Sequence, residues 1–339
     1  MDRDRTIAGC LFTGLSLALT PIYAKIIHIL LWNSEFRRLR CYQIMVQIGI
    51  IDCMFVLGYA VFGVSLVLKN DFFRFTYVVV QLLEGVWMTK VSLNVALAVN
   101  RLSVTCKLNV PAWLHWVQVI YCWLLGIFYF IICLTPYTGL ELDFDGFGWT
   151  YNMSKPYSAI MQKVDVTYAT GALGFGLVMY LIAALILLVN RRKYSSNVGT
   201  YKMEIRICVM ALVLFSSPMI GDLLWNFAFD FLPKTHWTNV ALGVFSICNI
   251  ALAAPTIYLV INRPLRKIFF KSGFFGYNKR HISSGVNPVN VSVASVSRAG
   301  PMRFARPFKW TPFQSDSMKK SSRFPHTISA VLLAIFPNL

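Results

Sequence analysis

The chain has 339 residues, 57% of them hydrophobic and only 14% charged, yet it carries 32 Lys+Arg against 14 Asp+Glu, a net charge of +18. Such an excess points to nucleic acid or an anionic surface, but an ordinary soluble domain is about one-quarter charged. A soluble enzyme, a secreted disulfide scaffold and a free nucleic-acid-binding domain are therefore disfavoured. Recurrent runs of about twenty apolar residues indicate a polytopic helical membrane protein instead.

Seven stretches are long enough to cross a bilayer, approximately 8–32, 41–68, 76–102, 113–135, 166–189, 206–230 and 239–262. Their apolar character is continuous rather than alternating, which selects helices over barrel strands. The expected fold class is all-α, a seven-transmembrane helix bundle. The first stretch follows Arg3 and Arg5 as a signal peptide would, but it stays apolar through Trp32 and is expected to be retained. The sixth is the least clean, with Asp222 and Asp230 in its second half.

Lysine and arginine set the expected orientation. One side holds 23 of the 32 basic residues, thirteen of them after the last span, and the other side holds seven, with Lys25 and Lys90 inside spans. This places a multi-pass protein in the cell membrane with its N-terminus outside and its C-terminus cytoplasmic. Asn152-Met153-Ser154, in the longest outer loop (136–165), is a candidate glycosylation site. Asn290-Val291-Ser292 would lie inside and stay unmodified. Six of the eight cysteines lie in spans, and Cys41 and Cys106 sit at the cytoplasmic edge, so small buried apolar roles are expected. Only Cys10 and Cys133, near the outer ends of their spans, leave a bridge open. No Cys/His cluster suggests zinc, and neither a metal nor another cofactor is expected.

Ionisable residues in lipid are functional candidates because an unpaired charge there is costly. Asp52 lies eleven residues beyond Cys41, and Lys90 eleven before Arg101, so both sit about 16 Å from the cytoplasmic face. Equal depth on neighbouring helices predicts a buried Asp52–Lys90 ion pair, either a switch element or a purely structural contact. Lys25, about 10 Å from the inner end of the first helix, can snorkel to headgroups. Glu84 and Asp222 lie about 24–26 Å from the inner face, with Trp87, Trp225 and Asn226 within a turn. Two acids with aromatic neighbours form a candidate cavity for a cationic or polar small ligand, unless the tryptophans face lipid.

Four further features fall on particular spans: Asn100-Arg101-Leu102 ends the third, Phe215-Ser216-Ser217-Pro218 lies in the sixth, Pro255-Thr256-Ile257-Tyr258 nears the end of the seventh, and Asp52 stands in the second. Cys41–Asp52 resembles the second-helix signature of the nematode serpentine chemoreceptors, class T. Ala96–Leu102 and Pro255–Arg263 resemble that family's third- and seventh-helix endings. The resemblance covers approximately residues 8–270. It implies a rhodopsin-like G-protein-coupled receptor for olfaction, a transducer whose partners are a small-molecule ligand and a heterotrimeric G protein. By the same resemblance Asn100, Arg101 and Tyr258 would belong to the coupling surface. Pro218 and Pro255 each remove a backbone hydrogen bond and offer bending points. The level of Asp52 is a sodium site in the wider superfamily, and the Lys90 ammonium would replace that ion.

The chain departs from the wider pattern in three places. Neither 69–80 nor 136–165 contains the cysteine that usually ties the third helix to the second outer loop. Ala254 stands where Asn commonly precedes the seventh-helix proline. Asn100 replaces the usual acid before Arg101.

Residues 263–271 read as a short amphipathic helix with Leu265, Ile268 and Phe269 on one face and basic residues toward anionic lipid. Beyond Tyr277 the chain is Ser-, Pro- and basic-rich and is expected to be disordered, with ten serines in 278–339 as possible phosphate acceptors. The apolar 328–339 is too short to span. The expected organisation is a receptor domain at 1–270 and a basic cytoplasmic tail at 271–339, with membrane lipid as a partner and no nucleic acid. The alternative is a seven-helix transporter or channel relaying charge through Asp52, Lys90 and Glu84, which lacks the inverted repeat of such folds. His28, His115 and His236 are scattered without a nucleophile–base pair, so no enzyme is expected.

Overall fold

The computed structural model describes residues 2–37, 39–106, 108, 110–189 and 198–271. In chain order these form α1 (Asp2–Trp32), the single turn α2 (Ser34–Arg37), α3 (Arg40–Leu68), α4 (Phe75–Thr105), α5 (Ala112–Leu134), β1 (Leu140–Asp143), β2 (Gly148–Tyr151), α6 (Ser158–Val189) and α7 (Val198–Phe231). The last long helix is composite: α8 (His236–Cys248), a π-helical turn at Asn249–Ala253 and α9 (Ala254–Ile261), with α10 (Arg263–Lys271) after it. The result is the seven-helix bundle the apolar stretches predict. Six of the helices are apolar enough over 18 or more residues to cross a membrane; in α7 the apolar stretch narrows to Leu212–Ala228.

The helices outrun the stretches that announce them. α6 begins at Ser158 rather than near 166, and α7 at Val198 rather than near 206. Hydrocarbon demands apolar side chains only across its own thickness, whereas the backbone ladder continues beyond it.

Successive helices pack α1 on α3, α3 on α4, α4 on α5 and α6, and α6 on α7, while α8 closes the ring against α1. The axis of the bundle is α4, with 72% of its most apolar stretch buried against 28% in α5. Yet α4 is the less apolar of the two, and its buried residues include Gln81, Thr89, Lys90, Ser92 and Asn94. In α5 the apolar side chains point outward: Trp116, Ile120, Leu124, Ile127 and Ile131 are exposed, and Val119, Cys122, Gly126, Tyr129 and Cys133 form the inward stripe. A helix with an apolar outer face is solvated by lipid, so polar groups collect where protein surrounds them. At Gly85 and Gly126 the two helices come so close that a Cβ on either would lie 2.5 Å from the other's carbonyl oxygen.

The long segment 136–165, expected as a loop, contains an antiparallel hairpin with Leu140 opposite Tyr151 and Asp143 opposite Gly148. Its turn is an Asp143 cap: Oδ1 accepts from the backbone N–H of Asp145 (3.1 Å) and Gly146 (2.7 Å). No disulfide ties it to the bundle; all seven described cysteines are free, Cys10 and Cys133 included. Hydrogen bonds take that place. The buried Gln81 amide on α4 donates to Leu140 O (2.9 Å) and accepts from Leu140 N (2.8 Å), pairing with the strand as another strand would. Lys155 Nζ donates to Thr138 O (2.6 Å), Thr135 O (3.0 Å) and Tyr77 OH (3.3 Å), and Asn239 donates to Gly146 O (2.8 Å).

At the opposite end α10 forms over the expected residues, with Leu265 buried. Lys25 does not simply rise to headgroups: its Nζ lies 4.3 Å from the Phe269 ring centroid, a cation–π contact with α10. The expected disorder, serines and apolar end of the tail lie outside the described residues.

Replacing Gln81 with Ala leaves Leu140 N–H and C=O without partners at a buried site, a cost of about 1–3 kcal/mol per group. Hydrogen exchange across 140–151 should accelerate at least tenfold while α3 and α5 stay protected. Unchanged exchange in the hairpin would refute the clamp.

Candidate ligand cavity and polar core

Beneath the hairpin, α3, α4, α6, α7, the composite helix and β2 enclose a cavity of about 70 Å³, several times what one water needs. Glu84, Trp87, Asp222, Trp225 and Asn226, the residues expected at a ligand site, all line it. Helical spacing explains the convergence: Glu84 and Trp87 are three apart on α4, and Asp222, Trp225 and Asn226 share a face of α7. The tryptophans do not simply face lipid. Trp87 packs on Phe55 at 6.3 Å between ring centroids, and Trp225 on Trp149 at 5.8 Å. Asp222 is 3% exposed, held by Thr170 Oγ1 (2.9 Å to Oδ2) and Asn226 Nδ2 (3.1 Å to Oδ1). Asn226 therefore both lines the cavity and holds the Asp222 carboxylate.

Asp165 and Trp149 also line the cavity, and Tyr151 stands beside its acids. Asp165 falls in the expected loop because the apolar stretch begins after it, yet it continues the Met161, Asp165, Ala169, Leu173 stripe of α6, and that spacing is the signal that marks it. Trp149 and Tyr151 arrive on β2, and Trp149 stands edge-on to Phe62 and tilted on Tyr59, each at 5.0 Å. An Asp145-Gly146 turn flanked by alternating Leu140, Leu142, Trp149 and Tyr151 was the available hairpin signal. Tyr151 OH reaches Glu84 Oε1 (3.4 Å) and Asp165 Oδ2 (3.3 Å). Burial, reinforced by the charges of Glu84 and Asp165, holds the Tyr151 phenol far above its ordinary range. It stays protonated and serves as a donor.

Lys90 stands at the cavity's floor and belongs equally to a second cavity of about 30 Å³ beneath it. Its Nζ meets Asp52 Oδ1 at 2.7 Å, with the two side chains 6% and 3% exposed. The other carboxylate oxygen accepts from Tyr23 OH at 2.6 Å. Tyr23 brings a third helix, α1, to the pair, which equal depth on α3 and α4 does not reveal. The second cavity is further lined by Asn94, Ser217, Asn249 and Tyr258. Ser217 Oγ bonds Asn249 Oδ1, and Asn249 Nδ2 donates to Ser217 O at 2.9 Å. This clasp joins α7 at Pro218 to the π-helical turn. Pro218 lines both cavities, and Pro255 follows that turn directly, where a widened helix accommodates the missing N–H.

Tyr258 is 3% exposed and faces this polar core rather than the end of the bundle. Asn100 and Arg101 lie together near the end of α4, both half-buried, and Arg101 Nε has no hydrogen-bond partner among the described residues. Asn152 lies just after β2, its Oδ1 accepting from Ser154 N (2.9 Å) and Ser154 Oγ (2.5 Å).

This arrangement has the fold of a seven-helix membrane receptor. It matches the crystal structure of squid rhodopsin with a TM-score of 0.60 over 80% of this chain and 81% of that one, at 12% identity, a likeness of fold alone. The family follows from sequence: residues 1–281 match the model of the serpentine type 7TM GPCR chemoreceptor Srt family, and the chain belongs to it. No curated protein matches the chain in sequence.

Removing one member of the buried pair strands the other. Lys90→Met and Asp52→Leu should each cost about 3–5 kcal/mol, and the double variant distinctly less than their sum. Melting of the three purified variants measures this, and strictly additive losses would refute a coupled pair. With an ammonium already on Asp52, exchanging sodium for choline should leave the melting temperature of the unmodified protein unchanged. A sodium-dependent rise would show that the ion still finds the carboxylate.

Proposed function

We propose that the chain is a G-protein-coupled chemosensory receptor that takes a small molecule in the cavity beneath the hairpin and activates a heterotrimeric G protein at the Arg101 end. Membership of a chemoreceptor family supports the class. The observation that carries the mechanism is that Lys90 and Pro218 line both the ligand cavity and the polar core. A ligand touching Asp222, Trp225 or Trp87 thus presses on groups whose other side faces Asp52, Asn249 and Tyr258.

The switch proposed is a shift of α7 about Pro218. A proline removes one rung of the helix ladder, and the Ser217–Asn249 clasp offers two arrangements, made or broken. A ligand that favours one of them shifts the population by its difference in affinity. Arg101, whose Nε has no hydrogen-bond partner among the described residues, would meet the C-terminus of an inserted partner helix, whose dipole end is negative. Asn100 would adjust its position, and Tyr258 would act from inside, as part of the core.

The basic-residue distribution supports an outside N-terminus and cytoplasmic C-terminus. In that orientation the hairpin faces outward and Asn152 is available for glycosylation. Arg266, Lys267 and Lys271 of α10 would meet anionic headgroups.

The reading is tested by reconstituting the receptor with a heterotrimeric G protein, applying an odorant panel and following nucleotide exchange. An active odorant should raise exchange severalfold, and Arg101→Ala should reduce that rise at least tenfold with odorant binding retained. A transmembrane current without G protein would replace this reading with the transporter or channel.

A further inference from the structure

The lining of the upper cavity is chemically one-sided. Three carboxyl groups from three helices, Glu84, Asp165 and Asp222, face it. Among the described residues its only cationic lining group is Lys90, which is already bound to Asp52. The walls between the acids are aromatic: Trp87, Trp149 and Trp225, with Phe55 and Tyr59. A ring presents a negative face, so such walls attract a cation that has shed its water.

Two observations show that the acids are unfinished without a ligand. Asp165 Oδ1 is buried and accepts no hydrogen bond among the described residues, a costly state for a carboxylate oxygen. The Glu84 and Asp165 carboxyls also converge on one phenol, with Tyr151 OH 3.4 Å from Glu84 Oε1 and 3.3 Å from Asp165 Oδ2. Two carboxylates brought together repel unless a proton or a cation lies between them. The titratable groups around this pair are Tyr151 from β2, Asp222 from α7, and Tyr129 and Cys133 from α5, with Tyr168 from α6 next to Tyr129 and Lys155, before α6, next to Cys133. Of these only Lys155 is cationic, and its Nζ is committed to Thr138 O, Thr135 O and Tyr77 OH.

We propose that the cavity takes a small organic ammonium ion, which enters in exchange for the proton shared by Glu84 and Asp165. The ammonium N–H groups supply the donor that Asp165 Oδ1 lacks, the aromatic rings surround the alkyl or aryl part, and the released proton leaves to water. Charge balances: one cation enters, one proton leaves. A metal ion fits less well, because among the described residues no three His, Cys, Asp or Glu side chains are grouped to hold one, and aromatic walls offer it no ligands. An anion would meet three acids. The inference rests on the proposed reading of this cavity as the ligand site and adds the class of ligand.

The test uses the full chain in lipid nanodiscs, without G protein. Isopentylamine and phenethylamine are titrated calorimetrically from about pH 5 to about pH 8, each beside the alcohol of the same skeleton; both amines stay protonated there, as lysine does. Because binding expels a proton, affinity should rise with pH, up to tenfold per unit while the pair is protonated, and level off above. Heats in two buffers of different ionisation enthalpy should count up to one proton released. The alcohols should bind at least tenfold more weakly with no pH trend. Glu84→Gln should flatten the trend and weaken amine binding about tenfold.

Alcohols binding as tightly as amines, amine binding flat in pH, or no amine binding would each overturn the proposal on the unmodified receptor. Amine binding that shows the proton exchange but never promotes nucleotide exchange would instead overturn the receptor reading alone.

Discussion

Hydrocarbon offers an ammonium and a carboxylate no solvent, so Lys90 and Asp52 must satisfy each other or deform the bundle. Their 2.7 Å contact, with Tyr23 on the second carboxylate oxygen, ties α4, α3 and α1 at one level. The requirement fixes which helix stands at the centre. A helix carrying Gln81, Thr89, Lys90, Ser92 and Asn94 cannot face lipid, so α4 becomes the axis and the more apolar α5 is left at the periphery. The usual rule of soluble proteins is reversed: here polarity, not its absence, marks the interior.

The hairpin obeys a related constraint. A covalent staple would tolerate a loose loop, because it needs only two sulfur atoms in range. The Gln81 amide instead pairs with one residue's N–H and C=O, which works only if Leu140 is presented as a strand presents it. The missing cysteines and the presence of β structure are therefore connected. The strand supplies an edge, and a buried side-chain amide fills part of it. Trp149, seated among Tyr59, Phe62 and Trp225, completes the attachment by packing.

Much of this was legible in the chain, for reasons that also explain what was not. Seven spans could be counted because hydrocarbon thickness imposes a length. The pairing of Asp52 with Lys90 followed from equal depth along two helices, since rise per residue converts sequence into height. Height alone does not give azimuth, so it does not single out Tyr23, at the same level on α1. Asp165 was lost for another reason: a helix extends past its apolar stretch, and hydropathy stops reporting where the headgroups begin. Resemblance puts Tyr258 on the coupling surface, whereas its side chain turns inward to the core. The hairpin's turn residues were visible, but a 30-residue segment between spans reads as a loop when no partner strand is anticipated.

The two cavities share a floor and a ceiling made of the same side chain. Lys90 is held from below by Asp52, and from above it faces a space walled by three further acids. An ammonium between two acidic regions is a balance: whatever neutralises the upper acids lessens their pull on Lys90 and strengthens its hold on Asp52. The proposed proton and the proposed ammonium ligand would both do so, but they differ in shape. A proton fits between Glu84 and Asp165 without moving α7, whereas a ligand that fills the space between Asp165 and Asp222 must press on the turn holding Pro218. Charge would then be nearly the same with and without ligand, and the difference transmitted to the Ser217–Asn249 clasp would be steric. Such a design would let an acidic cavity exist in a membrane without ligand and still respond to occupancy.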